Sequence, residues 1–390
     1  MNDLKKRTWA EISLDNIKYN YHTIRALLPE GCRFLGVVKA DAYGHGALEV
    51  SSTLQECGAD YLAVSCLDEA LELRHGGITM PILILGHTPP EYTKDLIDNH
   101  LTQTVTNLAK AADYSREAKK IGSNLKIHIK LDTGMSRLGF LLDRAVENIT
   151  ASCKLPNLVP EGIYTHFSVS DETDEESIEY TKNQFSSFMQ TIHALEENGI
   201  TFEIRHCANS GAVVNHPEMM LDMVRPGLLL YGYGDEGRLG LKPCMNLITT
   251  ISTIKYYDAG TSVSYGRKYT TSRRTRMAVL AIGYADGLPR ASSGKCSYYV
   301  AGKYAPQCGN ICMDMCMADV TDIYDAAVGS EVELFGSKCN LYNLSDAAGT
   351  IPYELLCSVS KLTTSCAMHT KLIFVIFFFH IYSLNLQLSC

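Results

Sequence analysis

The sequence predicts an α/β protein: a (β/α)8 TIM barrel over residues 1–240, a mostly β C-terminal domain over 241–365, and an atypical hydrophobic tail over 366–390. Three observations carry this reading. Short apolar or β-branched runs alternate eight times with segments of helical periodicity, the pattern of parallel strands joined by helical crossovers. Eight such strands close a barrel, and about 250 residues suffice to build one. After residue 240 the texture changes to alternating threonine and valine between turn glycines, which reads as a β-rich domain.

In order, the barrel strands are FLGVVK (34–39), YLAVS (61–65), PILIL (81–85), QTVT (103–106), LKIHIKL (125–131), EGIYTH (161–166), EIRHC (203–207) and LDMVRPG (221–227). Helical segments between them include ALEVSSTLQECG, LDEALELRHGG, TNLAKAADYSREAKKIG and EESIEYTKNQFSSFMQTIHALEENG. Several end in glycine, the expected helix stop. A doubly wound open sheet is the competing architecture, but no GxGxxG follows the first strand, as a dinucleotide-binding sheet of that type would require. The second domain has strands at MNLITTISTIKYY, RTRMAVLAIGYADG, CMADVTDIY and GSEVELFG, with one helix expected at LSDAAGTIPYELLCSVS. In the tail, the apolar run from Leu372 to Leu384 is short for a membrane span and reads as an aberrant, aggregation-prone end rather than a membrane hook.

Composition narrows the function. A hydrophobic fraction of 46% with 20% charged residues suits packed cores, and a net charge of -8 gives no broad attraction to nucleic acid or an anionic membrane. The charged start MNDLKKRTWAEI lacks the apolar core of a secretory signal. The 14 cysteines therefore read as mostly free thiols of a reducing cytoplasm. Cys312 and Cys316 are the one tight pair; without nearby histidines or a second pair they read as small core residues, and no metal is expected.

Polar residues fall where a barrel keeps its chemistry, at the C-terminal ends of strands. Lys39 ends the first; Lys130 and Asp132 end the fifth, with Arg137 beyond; His166 ends the sixth; Asn209 and Ser210 follow the seventh; Arg225 ends the eighth. Each has an ordinary reading. Lys39 snorkels to solvent, Arg137 is a surface arginine, His166 a satisfied core histidine, Lys130 an ion-pair partner of Asp132, and Arg225 a backbone clamp. Their joint placement on one mouth favours a site. A lysine with a lowered pKa attacks carbonyls, nearby cations favour its neutral amine, and CANSGAVV and RPGLL offer free amides for an anion. An aldehyde-reactive lysine facing a phosphate cradle is what pyridoxal 5'-phosphate requires.

The stretches VVKADAYGHG (37–46), KLDTGMSRLGF (130–140), THFSVSD (165–171), CANSGA (207–212), MVRPGLLLYG (223–232), VSYG (263–266), IGYADG (282–287), GNICMDM (309–315) and TIPYELLC (350–357) together resemble the bacterial alanine racemases, fold-type III pyridoxal phosphate enzymes. The resemblance runs from Trp9 to Ser360. It implies that Lys39 carries the cofactor and is one of two bases, acting on D-alanine, and that Tyr265 from the partner subunit of a homodimer is the other, acting on L-alanine. Tyr43, Asn209, Ser210, Tyr353, Gly227 and Leu228 would hold the cofactor phosphate region. Arg225 would donate to the ring nitrogen, and His166 would stack near the ring. Arg137, Met313, Asp314 and Tyr284 would seat the substrate or line its entrance. Lys130 would be carbamylated to orient Arg137. The implied role is cytoplasmic supply of D-alanine for peptidoglycan. A racemase of serine or another small amino acid, a decarboxylase, or a non-catalytic pyridoxal phosphate carrier of the same fold are the alternatives. The sequence departs from the family after IPYELLC, where CSVSKLTTSCAMHT replaces the usual arginine-bearing segment, so the closing strand is expected to be lost.

Overall fold

The computed structural model describes residues 7–359 and the main chain of residues 371–375. Two compact units divide it: Leu14–Cys244, and residues up to Ser13 together with Met245 onward. Numbered along the chain, β1 is Thr8–Ser13 and belongs to the second unit.

The Leu14–Cys244 unit is a nearly closed parallel barrel. Its strands are β2 (Arg33–Val37), β3 (Tyr61–Val64), β4 (Ile82–Ile84), β5 (Leu101–Val105), β6 (Leu125–Asp132), β8 (Leu158–Tyr164), β9 (Ile204–His206) and β10 (Met223–Val224), with the short β7 (Phe140–Leu141) beside β6. They lie in the order β10, β2, β3, β4, β5, β6, β8, β9. Every strand pairing along this path is parallel. β3 and β4 are buried throughout, which explains why they read as continuous apolar runs rather than alternations; β5 is equally buried although its centre is Thr-Gln-Thr. All eight expected strand segments are present. The ring closes between β9 and β10 through an isolated parallel bridge of Asn209 and Arg225 and the bond from Arg225 N to Ala208 O at 2.9 Å.

The crossover helices follow the expected segments: Ala47–Cys57, Leu67–His75, Leu108–Ile121 and Glu175–Glu197. Their ends are set locally. Asn107 caps the Leu108–Ile121 helix by accepting from Lys110 N at 2.9 Å, and Gly122 ends it in the left-handed region. Asp174 caps the longest helix through Ser177 N at 3.0 Å.

The second unit is antiparallel. Its strands are β11 (Met245–Tyr257), β12 (Ser262–Val263), β13 (Tyr269–Thr270), β14 (Thr275–Leu280), β15 (Ser297–Val300), β16 (Lys303–Cys308), β17 (Cys316–Asp319), β18 (Glu331–Phe335) and β19 (Lys371–Val375). The sheet runs β14, β17, β16, β15, β18, β11, β1, β19, and β14 also pairs with β11, which closes a ring of six. The long β11 makes this possible. Its first half pairs with β18 and β1, and its second half, beyond a bulge, pairs with β14.

Three sequence expectations are corrected. The expected 1–240 domain loses its start, because Thr8–Ser13 pairs with Met245–Thr249. The single helix expected over 344–360 is two, Leu341–Ala348 and Pro352–Ser358; Gly349 caps the first at φ +71, and Pro352 cannot continue its ladder. The main chain of 371–375 forms a strand against Trp9–Ser13, where a lost closing strand was expected. The rest of the 366–390 tail lies outside the described residues.

Trp9, the one tryptophan of the chain, lies buried in β1, so its fluorescence reports on the antiparallel unit. Ile12, fully buried on the same strand, is expected to cost about 2–5 kcal/mol when changed to alanine. Urea unfolding followed by Trp9 emission measures this, and an unchanged midpoint would contradict the placement of β1.

Candidate active site

The barrel residues are built up from β2. Lys39 follows it and opens a turn in which Ala40, Asp41, Ala42 and Tyr43 all have φ between 51° and 55°. Four successive left-handed non-glycine residues cost roughly 1–2 kcal/mol each, so the turn needs outside support. Ala40 N donates to Glu69 at 2.7 Å, and Asp41 accepts from Ala47 N at 2.9 Å. The His45 ring lies beneath, its Nδ1 3.0 Å from Ala42 O and 2.9 Å from Tyr43 O. Two carbonyls demand a donor, so Nδ1 carries the proton, and burial pulls the imidazole down to about 4. His45 is neutral throughout the physiological range. The turn packs the Tyr43 ring edge-on against Tyr231 at 5.0 Å and brings its hydroxyl to Gly227, where a Cβ would lie 2.8 Å from Tyr43 Oη.

At the β9–β10 seam, Ser210 Oγ accepts from Gly227 N at 2.9 Å and Leu229 N at 3.4 Å. Asn209 accepts from Ala212 N and from Ser170 Oγ at 2.6 Å. Hydroxyls of Ser210 and Tyr43 and the amide of Gly227 therefore converge on one spot.

Arg225 is buried. Nη2 donates to Thr165 O at 2.8 Å and Cys207 O at 3.0 Å and lies 3.3 Å from His166 Nδ1; Nη1 donates to His206 Nδ1 at 3.0 Å. No carboxylate pairs with it among the described residues, and its Nε–H has no acceptor there. Nη2 has two hydrogens for its three acceptors, so His166 takes only a shared one at 3.3 Å; because arginine only donates, the nitrogen facing it is the bare Nδ1 and the ring proton sits on Nε2. Burial, then the charges of Arg225, Lys130, Arg137 and Lys39, hold His166 well below its ordinary value. The fold thus gathers Arg225, Lys130, Arg137 and Lys39 around one imidazole.

Lys130 does not pair with Asp132. The Asp132 carboxylate accepts from Gly134 N and Ser136 N at 3.0 Å each and from Arg137 N at 3.1 Å, so it shapes the loop that carries Arg137. Lys130 Nζ donates to Leu131 O at 3.0 Å and lies 5.2 Å from the Tyr164 ring centre. Burial first, then Arg225 and Arg137, bring it down to about 7 against the pull of Asp132. Arg137 is exposed and lines a cavity of about 820 Å³ with Asp132, Ser136, Asn107 and Asn148.

The remaining predicted residues lie in the antiparallel unit. Tyr265 is 71% exposed on a tight turn, flanked by Ser264 at φ +65 and Gly266 at φ +72, with its carbonyl held by Asn310 Nδ2 at 2.7 Å. Tyr284 N bonds Cys312 O and Ala285 N bonds Met313 O, both at 3.0 Å, which ties Tyr284 to the strap bearing Met313 and Asp314. Arg7 donates to Asp314 O at 2.9 Å and pairs with buried Asp286. Tyr353 is half-buried on the Pro352–Ser358 helix. Cys312 and Cys316 are free thiols, Cys316 buried.

Sequence reasoning assigned no role to His45, His128, His206 or Glu161. The available signal was a histidine inside an apolar strand, as in LKIHIKL and EIRHC.

The architecture is that of a barrel enzyme carrying an antiparallel β domain. Residues 12–235 match the family described as "Alanine racemase, N-terminal domain" and residues 244–366 "Alanine racemase, C-terminal domain". The alanine racemase of Clostridium perfringens (strain SM101) is 45% identical over 90% of this chain and 93% of that protein; that of Methanococcus maripaludis is 44% identical over 93% and 98%. Among solved structures, alanine racemase of Clostridium difficile 630 superposes with a TM-score of 0.85 at 41% identity, covering 91% of this chain and 94% of that one. That of Bacillus anthracis with bound L-Ala-P gives 0.87 at 31% identity, covering 96% and 99%. The chain belongs to the alanine racemase family.

Between about 7 and its ordinary 10.5, Lys130 is neutral in the folded chain and protonated in the unfolded one. Stability therefore rises with pH across this window. In carbonate-free buffer, Lys130→Met should remove a slope of roughly 1.4 kcal/mol per pH unit. Urea titrations from pH 7 to 10 measure it; parallel curves for both proteins would show a charged Lys130.

Proposed function

We propose that this enzyme interconverts L-alanine and D-alanine with pyridoxal 5'-phosphate at the barrel mouth, as a cytoplasmic homodimer supplying D-alanine for peptidoglycan. The observation that carries the reading is the buried Arg225, which among the described residues has neither a carboxylate partner nor an acceptor for its Nε–H, at the end of a barrel strand as Lys39 is. The donor set fits the cofactor: Arg225 for the ring nitrogen, and Tyr43, Ser210 and the amide of Gly227, where a side chain would collide with Tyr43, for the phosphate, joined by Leu228, Asn209 and Tyr353.

When bound, the cofactor supplies an electron sink that acidifies the substrate's Cα proton. Racemisation then needs a proton exchanged on each face of that carbon. Lys39 Nζ would serve one face and the partner subunit's Tyr265 the other. His166, with its proton on Nε2 and Nδ1 turned to Arg225, would donate toward that phenol oxygen and favour its anionic form. Arg225 keeps its own protons, so it orients the ring nitrogen without charging it, which would restrain transamination.

Arg137 would hold the ring oxygen and substrate side, with Met313 and Asp314 of the partner subunit helping to seat the carboxylate and Tyr284 lining the entrance. The exposure of Tyr265, Met313 at 53% and Tyr284 at 43% supports burial of that face against a second copy. Lys130 is suited to carbamylation: its neutral nitrogen attacks the carbon of carbon dioxide, a C–N bond forms, the nitrogen proton leaves to solvent, and the resulting anion would orient Arg137. A carbon-13 carbamate signal from labelled bicarbonate, lost in Lys130→Met, is the expected result.

Purified with pyridoxal 5'-phosphate, the chain should convert L- to D-alanine with solvent deuterium entering Cα. Lys39→Ala should lose at least about 10³-fold in kcat, as loss of a nucleophile and base does. Borohydride should fix the cofactor to Lys39. Attachment elsewhere, or binding without exchange, would overturn the proposal. Arg225→Glu should raise transamination relative to racemisation.

A further inference from the structure

Behind Arg225 a chain of buried polar groups crosses the barrel interior. His206 Nε2 lies 3.0 Å from His128 Nδ1, and His128 Nε2 lies 3.3 Å from Glu161 Oε2. Both imidazoles are fully buried. Glu161 also accepts from Lys126 Nζ at 2.6 Å and from Tyr61 Oη. Lys126 is the second residue of β6 and Glu161 stands midway along β8, so the chain leads away from the strand ends that form the mouth.

The proton positions along it are set from both ends, by a guanidinium that cannot accept and a carboxylate that cannot donate. Arg225 Nη1 donates, so His206 Nδ1 is a bare acceptor and its proton is on Nε2. His128 Nδ1 must then accept, which leaves its proton on Nε2, directed at Glu161. A second proton on either ring would set two donors face to face. Burial raises the Glu161 carboxyl, but the bonds from His128, Lys126 and Tyr61 outweigh it and hold it near 2, so the chain ends on an anion.

The packing serves this arrangement. Gly162, beside Glu161, has no room for a side chain, since a Cβ would lie 2.6–2.8 Å from the His128 ring. Tyr164 stacks on His206 at 4.7 Å with planes 15° apart, and its ring also carries the Arg225 guanidinium at 5.3 Å.

We propose that Glu161 is a positioning residue for Arg225: it fixes the tautomers of His128 and His206, so that His206 Nδ1 always presents an acceptor and the guanidinium keeps one orientation. The consequence for the reaction rests on the reading of Arg225 as the donor to the ring nitrogen; the tautomer order does not. Breaking the anchor lets both imidazoles turn over their protons, and Arg225 then meets an N–H in part of the population.

Imidazole nitrogen-15 NMR of histidine-labelled chain, with and without pyridoxal 5'-phosphate, tests the order directly. Wild type should show Nε2–H and bare Nδ1 at both His128 and His206; Nδ1 protonation of His206 would overturn the proposal without any variant. Glu161→Gln should mix the tautomers and lower kcat roughly tenfold, as when a neutral group replaces a charged acceptor, with KM little changed. Glu161→Asp should restore the wild-type tautomers. Unmixed tautomers in a folded Glu161→Gln, or mixed tautomers with wild-type kcat, would each defeat it. Should wild type fail to racemise while its tautomers are as stated, the functional reading falls and the tautomer order stands.

Discussion

The structure of the barrel mouth depends on burying one guanidinium without an acid beside it. Removing a charge from water is costly unless its hydrogen bonds are met. Here two main-chain carbonyls and two imidazoles meet them, from Thr165, Cys207, His166 and His206. A carboxylate partner would have been a simpler solution for stability. It would also have cancelled the positive field that the site uses.

That field propagates to its neighbours. Burial, then the charges of Arg225, Lys130 and Arg137, hold His166 well below its ordinary value, and burial with Arg225 and Arg137 brings Lys130 down to about 7. The bias of both groups toward their neutral forms is thus a product of the fold. The strained turn after Lys39 belongs to the same economy of positions: it fixes Tyr43 against Gly227 while His45 satisfies its carbonyls from below. Backbone strain and charge burial are both concentrated within a few residues of the strand ends.

The barrel was legible because its signals are local. Apolar runs such as YLAV and ILI, and helices ended by Gly58 and Gly122, each need only neighbouring residues to be read. The strand-end rule then located Lys39, Lys130, His166 and Arg225. What could not be read was which of several partners a polar side chain takes, and whatever depends on residues far apart in the chain. Asp132 looks like an ion-pair partner in sequence, yet three amides of its own loop take both oxygens. His128 and His206 stand 78 positions apart, and only barrel closure makes them neighbours. Thr8–Ser13 gives no hint that it pairs with Met245–Thr249, because strand pairing is written in the main chain.

The same principle bears on the divergent C-terminal segment. β1 presents one edge to β11, and its other edge would offer unpaired N–H and C=O groups. The main chain of 371–375 occupies that edge, with Trp9 opposite Val375 and Ser13 opposite Lys371. A ladder of this kind requires an extended chain of adequate length and places little demand on which side chains it carries. KLIFV is rich in residues of high β-propensity, so it meets that demand.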